Sequence, residues 1–395
     1  MKKTVVAISS FAFLFIATGV MAQGKTENKF DKPSEAKNVQ ISEKKVISEL
    51  ERKNIDAFEK SLKGKSGGAV PILDMPEPTF GGSTGKLGDP LPFGGQRYAI
   101  VIGLANYAGK VNDLCVTNAK TGKNVPTSND GLAEFCKDQD ALNMERVLTG
   151  KNGEVYNYGY DPDKVYRLSD SEATFDKIKA TIDLVKRDLT PNDELVFFFS
   201  GHSATGTYID ETGYDKKDEM LDEAMVIYDQ DYNETAFLNN TRNYASKYRP
   251  GNATYIWDDQ LVEWLKDILT SRVVFIFDTC KAGGMNDLKS DGRLLAMSST
   301  ELESSYTYYL GGFNNGTIEN SIYKESEGLF THYFVRRAML DELGDGFNPI
   351  VEGDLLKSDN NVTLEEAFNY VKPIIAAQQS AVLNDRFIDD LLLGY

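Results

Sequence analysis

Unbroken apolar runs alternate with helical spacings along most of the chain, and together they predict its frame. Tyr98 to Leu104, Leu195 to Phe199 and Val273 to Phe277 are continuously apolar, and Leu294 to Met297 is a shorter run of the same kind. Short unbroken runs fit strands buried on both faces of a parallel sheet. Between them, Asp140 to Leu148, Thr174 to Leu189 (with Ile178, Ile182 and Val185) and Leu261 to Leu269 carry helical spacing, and Val165 to Leu168 adds a short strand. Two further helices are predicted at Leu329 to Leu340 and at Leu364 to Ile375, the second opened by Thr363 and Glu366 at capping-box spacing. Alternating strands and helices predict an α/β fold, a three-layer α/β/α sandwich around a mostly parallel central sheet.

Ahead of this frame the pattern changes twice. Lys2 and Lys3 precede an apolar run from Val5 to Val20 that closes in Val20-Met21-Ala22, the form of a secretory signal peptide over residues 1–22. The run is too short for a stable membrane span and no later stretch is longer, so the expectation is a secreted protein, periplasmic or extracellular, with no membrane span. Residues 23–92 then form a charged stretch and a linker. Val39 to Leu62 is weakly amphipathic through Val46, Leu50, Ile55, Phe58 and Leu62 and reads as a lone surface helix; Gly64 to Gln96 is rich in Gly and Pro. Two readings of this segment stand side by side. It is a flexible tether, or an autoinhibitory propeptide covering a cleft until it is cut after a lysine between Lys63 and Lys86. Residues 93–395 make up the main domain, in which Glu234 to Thr254 reads as an exposed loop holding glycosylation-type triplets at Asn233, Asn239 and Asn252.

Loss of residues 1–22, with two lysines and no acids, takes the formal charge from -17 to -19. Such a chain repels phosphate backbones, which excludes nucleic acid as a partner and favours basic peptides or cations, although acidity also simply keeps a secreted protein in solution. Cysteine and histidine are scarce: Cys115, Cys136, Cys280, His202 and His332 are all there are. Cys115 and Cys136 could bridge in an oxidising compartment, leaving Cys280 the odd thiol. No Cys/His spacing suits zinc, and His332, inside a predicted helix, is given no role.

Two buried runs end alike, each in a polar triplet holding one of the rare residues: Ser200-Gly201-His202 after Phe199, and Asp278-Thr279-Cys280 after Phe277. Carboxyl ends of parallel strands line the ligand crevice, and neighbouring strands lie about 5 Å apart, so the two rare residues can face one cleft. There His202 would take the proton that keeps Cys280 from being a nucleophile. Backbone N–H groups of Ser203 and Cys280 are candidates for an oxyanion hole. Gly201 permits a tight turn, and Gly283-Gly284 a close approach of substrate backbone. Taken singly, Cys280 suits a small buried hydrophobe and His202 a satisfied loop residue.

With these motifs the chain resembles the caspase and metacaspase family of clan CD cysteine peptidases, of a bacterial secreted kind, from about Arg97 to about Ile375. Supporting pieces are Ala99-Ile100-Val101-Ile102-Gly103 before Asn106-Tyr107, Asp140-Ala141, Asp222-Glu223-Ala224, Asp258-Asp259-Gln260-Leu261 and Gly328-Leu329-Phe330-Thr331. The resemblance implies a Cys280-His202 dyad that hydrolyses peptide bonds with no required cofactor. It places Asp140, Asp278 and Ser200 in a pocket for Lys or Arg before the cut bond, with Lys137 at the family's pocket Cys. Asp140 capping its helix and Asp278 orienting a loop is the competing reading. The resemblance also implies Ca²⁺ activation through Asp222, Asp258, Asp259 and Asp287, against which stands a solvated acidic face. Ser203 and Lys281 depart from the family pattern beside the two dyad residues. The expected partner is a peptide or protein substrate; the alternative is a catalytically weak caspase-like module that binds peptides.

Overall fold

A computed structural model describes residues 35–63, 80–108, 114, 137–150, 157–209, 221–229, 255–309, 313–314, 317–318, 325–347 and 359–395. Residues 1–22, expected to be a signal peptide, Cys115, Cys136, the stretch 234–254 with its triplets, and the acidic run from Asp210 to Glu219 lie outside the described residues.

In chain order the elements begin with β1 (Glu35–Ser42), β2 (Lys45–Val46) and α1 (Glu49–Lys63). Next come β3 (Arg97–Gly103), β4 (Lys137–Asp138), α2 (Asp140–Thr149), β5 (Val165–Ser169) and α3 (Phe175–Asp188). The middle of the chain holds β6 (Glu194–Ser200), β7 (Ser203–Ile209), β8 (Asp222–Val226), β9 (Tyr255–Trp257), α4 (Asp258–Leu265) and β10 (Arg272–Asp278). After β11 (Arg293–Met297) and β12 (Tyr306–Tyr309) come a small hairpin of β13 (Phe313–Asn314) and β14 (Thr317–Ile318), then β15 (Glu325–Gly328). The chain closes with α5 (Leu329–Thr331), which continues as a π-helical stretch His332–Leu340, then α6 (Leu364–Ile375) and β16 (Val382–Asp385).

The central sheet has six strands in the order β16-β11-β10-β6-β3-β5, parallel except for β16 at one edge. Its strands are unbroken apolar runs because both faces are covered. Val196, Phe198, Val274, Ile276, Ala99 and Val101 point into a core under α2, α5 and α6, while Phe197, Phe199, Phe275, Phe277, Ile100 and Ile102 point into a second core on the α3 and α4 side. Each fully buried Phe or Ile removes enough apolar surface from water to contribute about 1.5–3 kcal/mol. On α3, Ile178, Ile182 and Val185 form the buried stripe, and the Thr174 side chain accepts the Lys177 N–H to start the helix. The capping box predicted at Thr363 and Glu366 is formed at the head of α6. This is the predicted α/β/α arrangement.

Two smaller sheets stand over the carboxyl end of the central one: β1-β7-β8-β9 and β2-β12-β15-β4. Both take in a strand from the N-terminal segment, where the lone surface helix was expected from Val39 on. The helix starts ten residues later, at Glu49; ahead of it the chain is extended and pairs with β7 and β12. Nor is α1 alone, since Ile55 is buried in the core and Glu59 bonds to Arg337 and Tyr370, while Leu50 stays exposed. Helical spacing misled because alternate residues of β1 mix polar and apolar types, leaving only the wider-spaced apolar positions to show a period.

Candidate functional site

The parallel register sets up the site. Asp278 of β10 lies directly opposite Ser200 of β6, and Ser200 opposite Gly103 of β3. Cys280 and His202 each follow two residues later on neighbouring strands about 4.8 Å apart, so they occupy equivalent places at the rim of the sheet. The Gly201 N–H donates to the Asp278 carbonyl at 3.2 Å and ties the two strand ends together.

His202 is fixed by Tyr107. The Tyr107 hydroxyl accepts the His202 N–H at 2.7 Å, and the two rings stack with centroids 5.1 Å apart. Gly201 serves this contact, because a Cβ there would come within 2.6 Å of the Tyr107 hydroxyl oxygen; it is a close approach that requires glycine, at the bend where the chain leaves β6 for β7. Gly283 and Gly284 likewise admit protein, not substrate: the first faces the backbone of Thr300 and Glu301, the second the Glu223 carboxylate.

Cys280 is fully buried, and its loop rests on three serines. Ser298, Ser299 and Ser305 all donate their hydroxyls to the Thr279 carbonyl. The Ser305 N–H donates to the Cys280 sulfur at 3.2 Å. Burial pushes the thiol above its ordinary pKa, against the pull of that N–H and of the Lys44 ammonium. Lys281 follows in the left-handed conformation, φ 56°, which turns the chain sharply away from the nucleophile and costs a non-glycine residue roughly 1–2 kcal/mol. Of the two oxyanion candidates, Ser203 lies within β7 between Ser42 of β1 and Met225 of β8, so its backbone belongs to a ladder while β1 is in place.

Asp140, Asp278 and Ser200 come together around a cation, and the cation belongs to the chain itself. The Lys44 Nζ lies 2.8 Å from Asp278 Oδ1 and 3.1 Å from Ser200 Oγ, with both charged side chains fully buried. Ser200 donates its hydroxyl to Asp140. Burial raises the Asp140 carboxyl well above its usual range, an effect the Lys44 ammonium opposes and the Asp278 charge adds to. The competing role for Asp140 falls to Asp138, whose Oδ1 accepts the Asp140 and Ala141 N–H groups at 3.0 and 3.2 Å and so caps α2. Asp278 both faces the pocket and holds the first turn of α5, its Oδ2 accepting the Thr331 N–H and hydroxyl at 2.8 Å each.

Two further contributors, Gly328, known from the sequence only as part of a family motif, and Lys44, which carried no signal, complete the pocket. Gly328 donates its N–H to both Asp140 oxygens, and a Cβ on it would lie 1.9 Å from Asp278 Oδ2 and 2.8 Å from Lys44 Nζ. Lys44 also donates its backbone N–H to His202 Nδ1 at 3.1 Å. The lysine that reaches the cleft thus stands N-terminal to the 63–86 window in which a cut was expected. His332 is engaged in a structural cluster, bonded to Glu327 at 2.5 Å and stacked on Tyr308.

All four acids considered for calcium are among the described residues. Among the described residues no group of three or more His, Cys, Asp or Glu side chains is arranged to hold a metal ion. Asp222 Oδ2 accepts the Tyr208 N–H, Asp258 Oδ1 accepts the Asp259 N–H, and Asp287 lies 3.8 Å from Lys289 Nζ.

Residues 98–289 match the family model of the metacaspase, peptidase C14 domain. Metacaspase-1 of Candida albicans is 27% identical over 203 residues, a match covering 49% of this chain and 35% of that protein. The matched span holds Tyr107, Asp140, Ser200, His202, Asp278 and Cys280; Lys44, Ser305, Gly328 and Thr331 lie outside it. Over about half its length, therefore, the chain is similar to a metacaspase peptidase domain, and it spans about a third of the relative.

Proposed function

We propose that this chain is an exported cysteine endopeptidase that cuts after Lys or Arg. The observation that carries this reading is the Lys44 ammonium seated between Asp278 and Ser200, at the rim that also presents Cys280 and His202. Two buried carboxylates with a hydroxyl between them are suited to a cationic side chain and would repel an acidic one.

In the proposed reaction His202 takes the Cys280 thiol proton, the thiolate attacks the carbonyl carbon of the basic residue, and the oxygen takes up the negative charge at the Cys280 backbone N–H. The carbon–nitrogen bond then breaks, the leaving amine receiving its proton from His202. Water, deprotonated by His202, attacks the thioester and returns the thiolate. Ser305 contributes by directing its N–H at the sulfur, which favours the charged form. His202 keeps its orientation through Tyr107.

The test compares lysyl, arginyl and aspartyl reporter peptides on the chain, on Lys44→Ala and on Lys44→Ala/Cys280→Ala. Turnover of the two basic reporters that vanishes with Cys280 supports the reading. No turnover by any form, together with no labelling of Cys280 by a thiol-reactive lysyl peptide, would leave the peptide-binding module in its place. Repeating the assay with a calcium chelator settles whether the ion takes part, since an unchanged rate removes it.

A further inference from the structure

We infer that residues 35–47 are a built-in inhibitor, filling the basic pocket with Lys44 while their backbone crosses the nucleophile in a direction that cannot be cut. This rests on the peptidase reading above and says how that activity is held off.

Occupancy is the first argument. The Lys44 side chain is fully buried, its ammonium is bound by Asp278 and Ser200, and the missing side chain of Gly328 leaves the room it needs. Anchorage on both sides is the second. The β1–β7 ladder runs from Glu35 opposite Ile209 to Ser42 opposite Ser203, at the residue after His202. Beyond Lys44, β2 pairs with β12, the Lys45 N–H donating to the Ser305 carbonyl at 2.8 Å and the Ile47 N–H to the Thr307 carbonyl at 3.3 Å. The segment is thus stitched to two sheets, with Lys44 pinned between the stitches.

Direction is the third argument and separates an inhibitor from a substrate. Hydrolysis after Lys44 breaks the bond between its carbonyl carbon and the Lys45 nitrogen, and that nitrogen must receive a proton from His202. The Lys45 N–H is instead turned to Ser305. The imidazole Nδ1 takes the N–H of Lys44 itself, the nitrogen on the other side of the residue in the pocket. A chain that puts a basic side chain in this pocket and the following nitrogen at His202 must cross in the opposite sense. β2 runs parallel to β12, so a cleavable peptide there would run antiparallel to it.

The inhibitor is therefore relieved by displacement, or by a cut elsewhere in the segment by another peptidase, and not by self-cleavage after Lys44. The test adds a synthetic peptide of residues 35–48 to Lys44→Ala, with lysyl reporter turnover and the mass of the added peptide followed together. Lys44→Ala should turn the reporter over roughly tenfold or more faster than the parent chain, the scale on which an intramolecular ligand at millimolar effective concentration suppresses its site. The peptide should inhibit Lys44→Ala and survive intact, and a peptide with Ala at 44 should inhibit far less. An unchanged rate in Lys44→Ala, or cleavage of the peptide beside residue 44 at a rate near that of the reporter, overturns the inference. Binding of a fluorescent lysyl peptide to Cys280→Ala and to Lys44→Ala/Cys280→Ala reads occupancy without catalysis. Only the double variant should bind, and equal binding by both overturns the plug even for a chain that hydrolyses nothing. Lys44→Arg, which keeps the cation, should behave as the parent in every arm, so a loss of folding in Lys44→Ala is recognised as such.

Discussion

Asp278 carries two duties with its two oxygens, and they are separable. Oδ1 meets the cation, while Oδ2 is held by the N–H and hydroxyl of Thr331 at the start of α5. Asp278→Asn keeps the size and an acceptor for Thr331 but removes the charge that attracts Lys or Arg. Charge-assisted hydrogen bonds contribute about 1.5–3 kcal/mol, so kcat/KM for a lysyl reporter should fall by roughly 10- to 100-fold in the Lys44→Ala background. The loss should sit mainly in KM, because the pocket binds a part of the substrate remote from the bond that breaks. Steady-state kinetics on the purified variant decide it; a fall in kcat alone, with KM unchanged, would place Asp278 with the reacting groups instead. Asp140 differs in that its burial already favours the neutral form and its oxygens serve Ser200 and Gly328.

Among the elements, the short β15–α5 junction decides whether the pocket is open. Gly328 closes β15, bonds to Asp140 and lies against Asp278 and Lys44, three residues before Thr331. Gly328→Ala puts a methyl group 1.9 Å from a pocket oxygen, far inside contact distance, so Asp278 or the junction must move. Reporter turnover in the Lys44→Ala background should drop by roughly 100-fold, while the melting temperature falls by only a few degrees, the cost of local overpacking being about 1–3 kcal/mol. Near-normal turnover would mean the junction yields without closing the site. The central strands were legible because burial on both faces leaves no polar position in Leu195–Phe199 or Val273–Phe277 to blur the signal. His202, Cys280, Ser200 and Asp278 were legible as neighbours for the same reason, each standing at a fixed offset from such a run. β7, β12 and β15 were not, since SATGTYI, YTYY and ESEG mix small, polar and aromatic residues with no apolar period. Lys44 meets Ser200 across 156 residues of chain and Gly328 meets Asp140 across 188, while Ser305 acts on Cys280 through its backbone N–H; composition records neither long-range contacts nor backbone donors.

For the whole molecule, buried acids set the direction in which stability changes with pH. Burial pushes Asp138 up to about 7, with Asp170 adding to it, and Glu366 to about 7 and Asp385 to about 6. Asp140 and Glu365 are likewise raised well above the ordinary carboxylate range by burial. A carboxyl raised in the folded state binds its proton more tightly there than in the unfolded chain. Its contribution is complete below the ordinary carboxylate range, near pH 4, and is lost as pH climbs through the folded value. Glu327 opposes this. Although burial raises it, His332 and Arg336 hold it below its ordinary range, so its contribution is present above about pH 4 and lost on acidification. Raised groups outnumber it, and net charge acts with them, because deprotonation adds to the self-repulsion of a chain already carrying a formal -17. The melting temperature of Cys280→Ala, chosen to exclude self-digestion, should therefore be highest near pH 5 and decline by several degrees toward pH 8. Asp138→Asn should flatten that decline between pH 5 and 7, its amide oxygen still able to cap α2 without taking a charge into the core. Scanning calorimetry across this range checks both, and a melting temperature that rises steadily to pH 8 would show that the paired acids, not the buried ones, govern the fold.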